Sequence, residues 1–133
     1  GLVGQISSVF PETSEVTLIV DKKMSVPIQI QRNGLRAITN GNGQNETISL
    51  PYLPNSVDVI KGDILKTSGI DTIYPEGIIV AEVLEIINDP KLPFAKIICK
   101  PMSEIRNHSH VLVVKPINKI ANHAVTPKND QKK

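Results

Sequence analysis

The sequence has no tryptophan, one cysteine, two phenylalanines and two tyrosines in 133 residues. A lone cysteine cannot form an internal disulfide, so cysteine usage leaves the redox compartment open. So few aromatics argue against a site for single-stranded nucleic acid, which stacks bases on ring faces. They argue equally against a carbohydrate-binding module, whose sugars pack on exposed rings. No apolar run approaches the roughly 20 residues that carry a helix across a bilayer, and no signal-peptide pattern opens the chain. A sustained 3.6-residue period is missing too. Helix is confined to one expected turn, "MSEIRN", with Ser103 as cap and Glu104 favourable near its start.

What is present points to sheet. The apolar set is mostly Ile, Val and Leu, and β-branched side chains lose less freedom in strands than in helices. Ten prolines and eight glycines, spread along the chain, supply corners for many short strands. Alternation puts Val16, Leu18 and Val20 on one face of "EVTLIVD", and Val26, Ile28 and Ile30 on one face of "VPIQIQR". Between them "DKKMS" has hairpin length, and "NGNGQNE" has the Asn/Gly content of a flexible hairpin tip. "TISL", "ILKTS", "GIIVAEVLEII", "AKIICK" and "HVLVVK" complete the strand set, with Ala95, Ile97 and Cys99 sharing a buried face. From Pro116 onward the periodicity collapses, and residues 116–133 are expected to be a disordered basic tail.

The net charge of +2 is uneven. Residues 1–114 hold 10 Lys/Arg against 12 Asp/Glu, and residues 115–133 hold five Lys against one Asp. A body of mixed sign offers no broad basic face for nucleic acid. The tail solubilises, with at most a weak attraction to anionic lipid.

Chemistry is sparse. Ser68 sits in "KTSGID", but the nucleophile elbow of hydrolases reads G-x-S-x-G and enters a helix, and none follows here. A triad would have to recruit His108, His110 or His123 with Asp58, Asp63 or Asp71. His108 and His110 are two apart, yet no further ligands stand at zinc spacing, and "GNG" opens no helix that could cradle phosphate. The sequons at Asn45 and Asn107 are discounted as generic matches. No catalytic residue, metal or cofactor is expected. The glycines of "KGDILKTSGIDTIYPEGIIV" read as corners, with "GIDTIYPEG" an irregular link carrying Tyr74 and Pro75 at its tip.

The segments "GLVGQISSVFPETSEVTLIVDKKMSVPIQIQRNGLRAI", "LPYLP", "IKGDILKTSGIDTIYPEGIIVAEV" and "HVLVV" together resemble the periplasmic region of the rod shape-determining MreC family. The most specific pieces are Gly1–Gly4, Gln31–Arg32, Gly34–Leu35–Arg36, Gly62–Asp63, Thr67–Ser68–Gly69 and Tyr74–Pro75–x–Gly77, in that order. Ile79 and Ala81 depart from the family's Pro and Gly, which implies a straighter strand there. The resemblance implies an all-β fold of two small six-stranded β-barrels, chymotrypsin-like but without a triad. It would divide as residues 1–55 and 56–115, with strand exchange allowed between them.

It also implies a non-enzymatic scaffold of the cell-elongation machinery on the periplasmic side of the inner membrane. Such a scaffold binds the class B penicillin-binding transpeptidase and other membrane proteins of that complex, and self-associates as a dimer or filament. A missing N-terminal transmembrane helix and coiled coil would anchor it. Exposed apolar patches suit such contacts. Ile73, Tyr74 and Pro75 are one candidate patch, and Tyr52, Leu53 and Pro54 a second. The alternative is a serine hydrolase on the same frame with Ser68 as nucleophile.

Overall fold

The computed structural model describes residues 1–70, 73–103 and 112–114. The fold is all-β, with one 3₁₀ turn at Gly43–Asn45. Two strands stand apart as an antiparallel hairpin, β1 (Gly4–Val9) and β2 (Ser14–Leu18). The remaining strands are β3 (Pro27–Ile30), β4 (Arg36–Ile38), β5 (Asn40–Gly41), β6 (Ile48–Ser49), β7 (Ile64–Thr67), β8 (Ile79–Ile87) and β9 (Lys96–Pro101). They form a 7-stranded sheet in the order β4-β3-β7-β8-β9-β6-β5.

The two outermost strands of that sheet, β4 and β5, are successive pieces of one segment, parted only by Thr39. The segment pairs with β3 through its first half and with β6 through its second, so the sheet comes round on itself. Counting β4 and β5 as one bent segment turns seven strands into six around a barrel. At the bend the Thr39 amide donates to the Val26 carbonyl at 2.9 Å, and the Gly41 amide to Met24 at 3.3 Å. A side chain at Gly41 would place its Cβ 2.1 Å from the Asp21 carbonyl oxygen, so this seam closes only over a glycine.

The interior is filled by Ile28, Ile30, Ile48, Leu50, Leu65, Val80 and Ile97, all fully buried. Each such side chain contributes on the order of 1.5–3 kcal/mol. Ala95, Ile97 and Cys99 share the inner face of β9, and Val26, Ile28 and Ile30 that of β3, as their alternation requires. Burial raises the Cys99 thiol to about 12. β8 runs nine residues, but its register shifts twice, against β7 between Ile79 and Ala81 and against β9 between Val83 and Glu85, so the stretch that carries Ile79 and Ala81 is bulged and not straight.

Three further sequence expectations are corrected. β2 ends at Leu18, where the Asp21 amide turns back onto the Leu18 carbonyl at 3.0 Å. The alternation therefore breaks: Ile19 is buried while Val16 is exposed. "DKKMS" consequently joins two sheets and is not a hairpin, because β2 pairs with β1 and not with β3. Residues 112–114 of "HVLVVK" are exposed and lie outside any strand. The hairpin tip at 40–46 does form, although the Asn42 side chain donates to Thr47 Oγ1 and accepts from Ser49 Oγ, both at 2.9 Å. A second six-stranded barrel is not drawn by the hydrogen bonds among the described residues. The second sheet there is the β1–β2 hairpin, tied to the barrel by the Leu2 amide on Ile79 O at 2.7 Å. Most of the "MSEIRN" turn and the whole of the basic tail lie outside the described residues.

Candidate protein-contact surface

The sequence pieces that looked most specific meet in space as braces. Arg32, just past β3, clamps the turn before β7. Its Nε donates to Asp63 Oδ1 at 2.8 Å and its Nη2 to Asp63 Oδ2 at 3.0 Å, a two-pronged pair. Nη2 also reaches Asp58 Oδ1 at 3.0 Å, and Asn33 Nδ2 donates to the Asp58 carbonyl at 2.8 Å. Asp63 is buried and accepts the Ile60 amide at 2.9 Å. Arg32's hydrogen bonds hold the Asp63 carboxyl below its usual range, against the desolvation that pulls the other way. They lower Asp58 as well, and the two carboxylates together raise the guanidinium.

A second brace closes the link after β7. Buried Thr67 donates through Oγ1 to the Pro75 carbonyl at 2.5 Å and accepts the Ile78 amide at 2.9 Å. Gly69 and Gly77, at φ 76 and 92, let the link reverse at both ends. The reversal carries Tyr74 inward, contrary to its expected place at an exposed tip. Its ring is 7% exposed, and its hydroxyl lies 3.4 Å from Gln5 Oε1 on β1. Pro75 is half-buried, which leaves Ile73 as the outward member of that trio.

The corner at Tyr52–Pro54 is different. Tyr52 is 77% exposed and holds a positive φ of 66, a left-handed conformation that costs a non-glycine residue about 1–2 kcal/mol. Its ring meets Phe94 edge to face at 5.6 Å. Leu53 turns inward, with its carbonyl accepting the Ala95 amide at 2.8 Å, and Pro54 bridges to Phe94. The corner is thus rigidly backed while its tyrosine projects.

Beside it runs a groove of about 630 Å³ whose walls include Arg36, Ile38, Tyr52, Leu53, Ser68 and Ile70. Ile38, Tyr52 and Ile70 are each more than half exposed, an apolar patch from three separate loops and strands. Sequence reading found Tyr52 and Leu53 but missed Ile38 and Ile70. The one signal for Ile38 was its place two residues from Arg36 on a short strand, outside the buried set.

Ser68 is buried in the same wall. Its amide donates to the Pro27 carbonyl at 3.2 Å, and its hydroxyl accepts the Ile70 amide at 3.4 Å. Asp58 and Asp63, two acids considered for a triad, are both engaged by Arg32. Asp71, His108, His110 and His123 lie outside the described residues. No group of three His, Cys, Asp or Glu suited to a metal occurs among the described residues, and no helix there is long and apolar enough to cross a membrane.

Comparison with known proteins gives a consistent result. The family described as "Rod shape-determining protein MreC, barrel core" matches residues 1–115. The chain is 40% identical over 118 residues to the cell shape-determining protein MreC of Haemophilus influenzae, covering 89% of this chain and 34% of that protein. It therefore spans about a third of the length of that curated relative. Among solved structures it is similar to MreC of Pseudomonas aeruginosa, with a TM-score of 0.75 and 41% identity, covering 79% of this chain and 68% of the other. MreC in a complex with the penicillin-binding protein PBP2 from Helicobacter pylori shares the fold at a TM-score of 0.57 and 22% identity, over 74% of this chain and 60% of that one.

Proposed function

We propose a scaffold function for this chain, which belongs to the MreC family of rod shape-determining proteins. MreC is a cell shape-determining protein. In this reading the chain catalyses nothing itself. It holds a class B penicillin-binding transpeptidase and other membrane proteins of the elongation complex, and copies of itself, in register on the periplasmic side of the inner membrane. An N-terminal helix in the longer protein supplies the anchor. The two halves, residues 1–55 and 56–115, act as one body, since β3 pairs with β7 and β6 with β9 across that division.

The observation that carries the proposal is the projecting Tyr52 beside the Ile38–Ile70 groove. A strained aromatic that touches Phe94 by one edge and leaves 77% of its surface exposed, on a rigid corner, is well suited to contact. The Helicobacter pylori MreC complex with PBP2 supports the choice of partner. Leu53 and Pro54 belong to the same corner, while Ile73 and Pro75 remain a second, separate candidate patch in which Tyr74 is buried.

The test is binding of the purified transpeptidase to the immobilised domain, with and without Tyr52→Ala. The reading expects at least a tenfold loss of affinity for the variant, with the fold unchanged by circular dichroism. Equal binding would remove Tyr52 from the interface, and no binding by either form would remove the scaffold reading. The hydrolase alternative requires Ser68 to label with a fluorophosphonate probe; buried as it is, Ser68 is expected to stay unlabelled.

A further inference from the structure

The open side of β4 has a directional chemistry that exposure alone does not reveal. In an antiparallel pair, residues alternate between those that exchange hydrogen bonds with the neighbour and those that point their backbone groups away. The Ile30 amide donates to the Leu35 carbonyl at 2.8 Å and the Thr39 amide to the Val26 carbonyl at 2.9 Å. Those bonds fix the phase of the ladder: in the register Pro27↔Ile38, Ile28↔Ala37, Gln29↔Arg36, the bonded pair is Ile28 with Ala37. Arg36 and Ile38 therefore turn both N–H and C=O away from β3. Pro27, opposite Ile38, has no N–H to offer, which fits the same phase.

Among the described residues no strand takes up those outward groups. β6, the next strand round the barrel, pairs with Asn40 and Gly41 but not with residues 36–38. Among the described residues no backbone hydrogen bond reaches Arg36 or Ile38 from that side. The barrel seam is thus zipped on one half of the segment and unzipped on the other. The unzipped half opens into the groove walled by Ile38, Tyr52 and Ile70.

We propose that Arg36 and Ile38 form a strand-addition site, at which an extended segment of a partner protein pairs with β4. Two residues spaced i, i+2 offer two N–H and two C=O groups, enough for two rungs of a ladder. The occupant is specified by the side chains. A residue facing Arg36 across the new pair is acidic, and one facing Ile38, two positions away, is apolar and packs against Tyr52 and Ile70.

A second copy of this strand is a poor occupant. Antiparallel pairing centred on Ala37 sets Arg36 against Ile38, pairing centred on Arg36 sets two guanidinium groups together, and pairing centred on Ile38 needs the outward edge of Asn40, which β6 already holds. The site therefore selects a different chain carrying acidic-x-apolar in extended form. The inference rests on the scaffold reading and names how one partner segment is held.

The probe is a synthetic seven-residue peptide of alternating threonine and valine with one glutamate two positions from a central valine. Two controls accompany it, one with lysine in place of glutamate and one N-methylated on its pairing edge. Binding is followed by amide shifts of the isotopically labelled domain and by calorimetry. The glutamate peptide is expected to shift and protect the Arg36 and Ile38 amides, and to bind at least tenfold more tightly than either control. Ile38→Pro removes an outward donor together with the isoleucine side chain and is expected to abolish binding, whereas Ile38→Val keeps both the donor and an apolar side chain and is expected to bind nearly as the parent does. Arg36→Glu is expected to reverse the preference towards the lysine peptide, which keeps the test decisive if the proline variant misfolds. Equal binding of all three peptides, or shifts that avoid residues 36–38, overturns the proposal. If Ile38→Pro folds and still captures the purified transpeptidase at wild-type affinity, strand addition fails while the scaffold reading stands; if the wild-type domain captures none, the scaffold reading itself fails.

Discussion

Thr67→Val is the substitution that separates folding back from chemistry in the Thr67–Gly77 link. The two side chains are nearly the same shape, but valine removes the hydroxyl that donates to Pro75 O and accepts from Ile78 N. Each group left unpaired away from water costs about 1–3 kcal/mol. Both partners are half-buried, so water restores part of the loss, and the expected destabilisation is roughly 2–4 kcal/mol. Thr67→Ser keeps both bonds and loses one methyl, at about 0.8 kcal/mol. Urea unfolding checks the difference, since a slope of about 1–3 kcal/mol/M turns 3 kcal/mol into a midpoint shift of roughly 1–3 M. The absence of tryptophan makes tyrosine fluorescence a second readout. In a Tyr52→Phe background only Tyr74 emits, and the valine variant should expose it to acrylamide quenching while the serine variant does not. A valine variant within 0.5 kcal/mol of the parent, with Tyr74 still shielded, would refute the idea that Thr67 pins this link.

Three further outcomes follow from the same geometry. Asp63 and Asp58 are held below the unfolded carboxylate range of about 4, so their stabilisation is complete above that pH and is lost as pH falls through it towards the folded values; urea midpoints should be flat from neutral pH downward and then drop, with a shallower drop in Asp63→Asn. Cys99, fully buried and raised to about 12, should resist iodoacetamide at pH 8 in the folded domain and react at once in denaturant; rapid labelling of the native state would contradict its place inside the barrel. Gly41→Ala forces a Cβ towards the Asp21 carbonyl and should part the seam, seen as faster amide exchange at Thr39 and Asn42, whose amides bond the Val26 and Thr47 carbonyls; unchanged exchange would deny that the seam is closed there.

The strands of β3, β7, β8 and β9 were legible because their inner faces alternate and their corners carry Gly, Pro or Asn. β2 was legible as a strand but not as to its partner, because pairing is a long-range choice that local pattern does not encode. Ile19 escaped for the same reason: the chain turns at Leu18, and a period of two holds only while a strand lasts. Tyr74 read as a surface residue because it sits in a glycine-rich loop, yet the Thr67 bonds that draw the loop inward join residues up to 11 apart. The Arg32–Asp63 clamp spans 31 positions and could be suspected only as two motif pieces, not as a pair. The contact groove is the least legible part, since Ile38, Tyr52 and Ile70 meet only after the barrel has closed.

Hydrogen–deuterium exchange of the domain alone and with the purified transpeptidase tests the central claim most directly, because it reports on every backbone amide without presuming the interface. Protection is predicted at residues 36–40 and at Tyr52 and Leu53, with the Arg32 clamp and the interior of β9 unchanged. A footprint confined to other surfaces, or no footprint at concentrations that saturate binding, would contradict it.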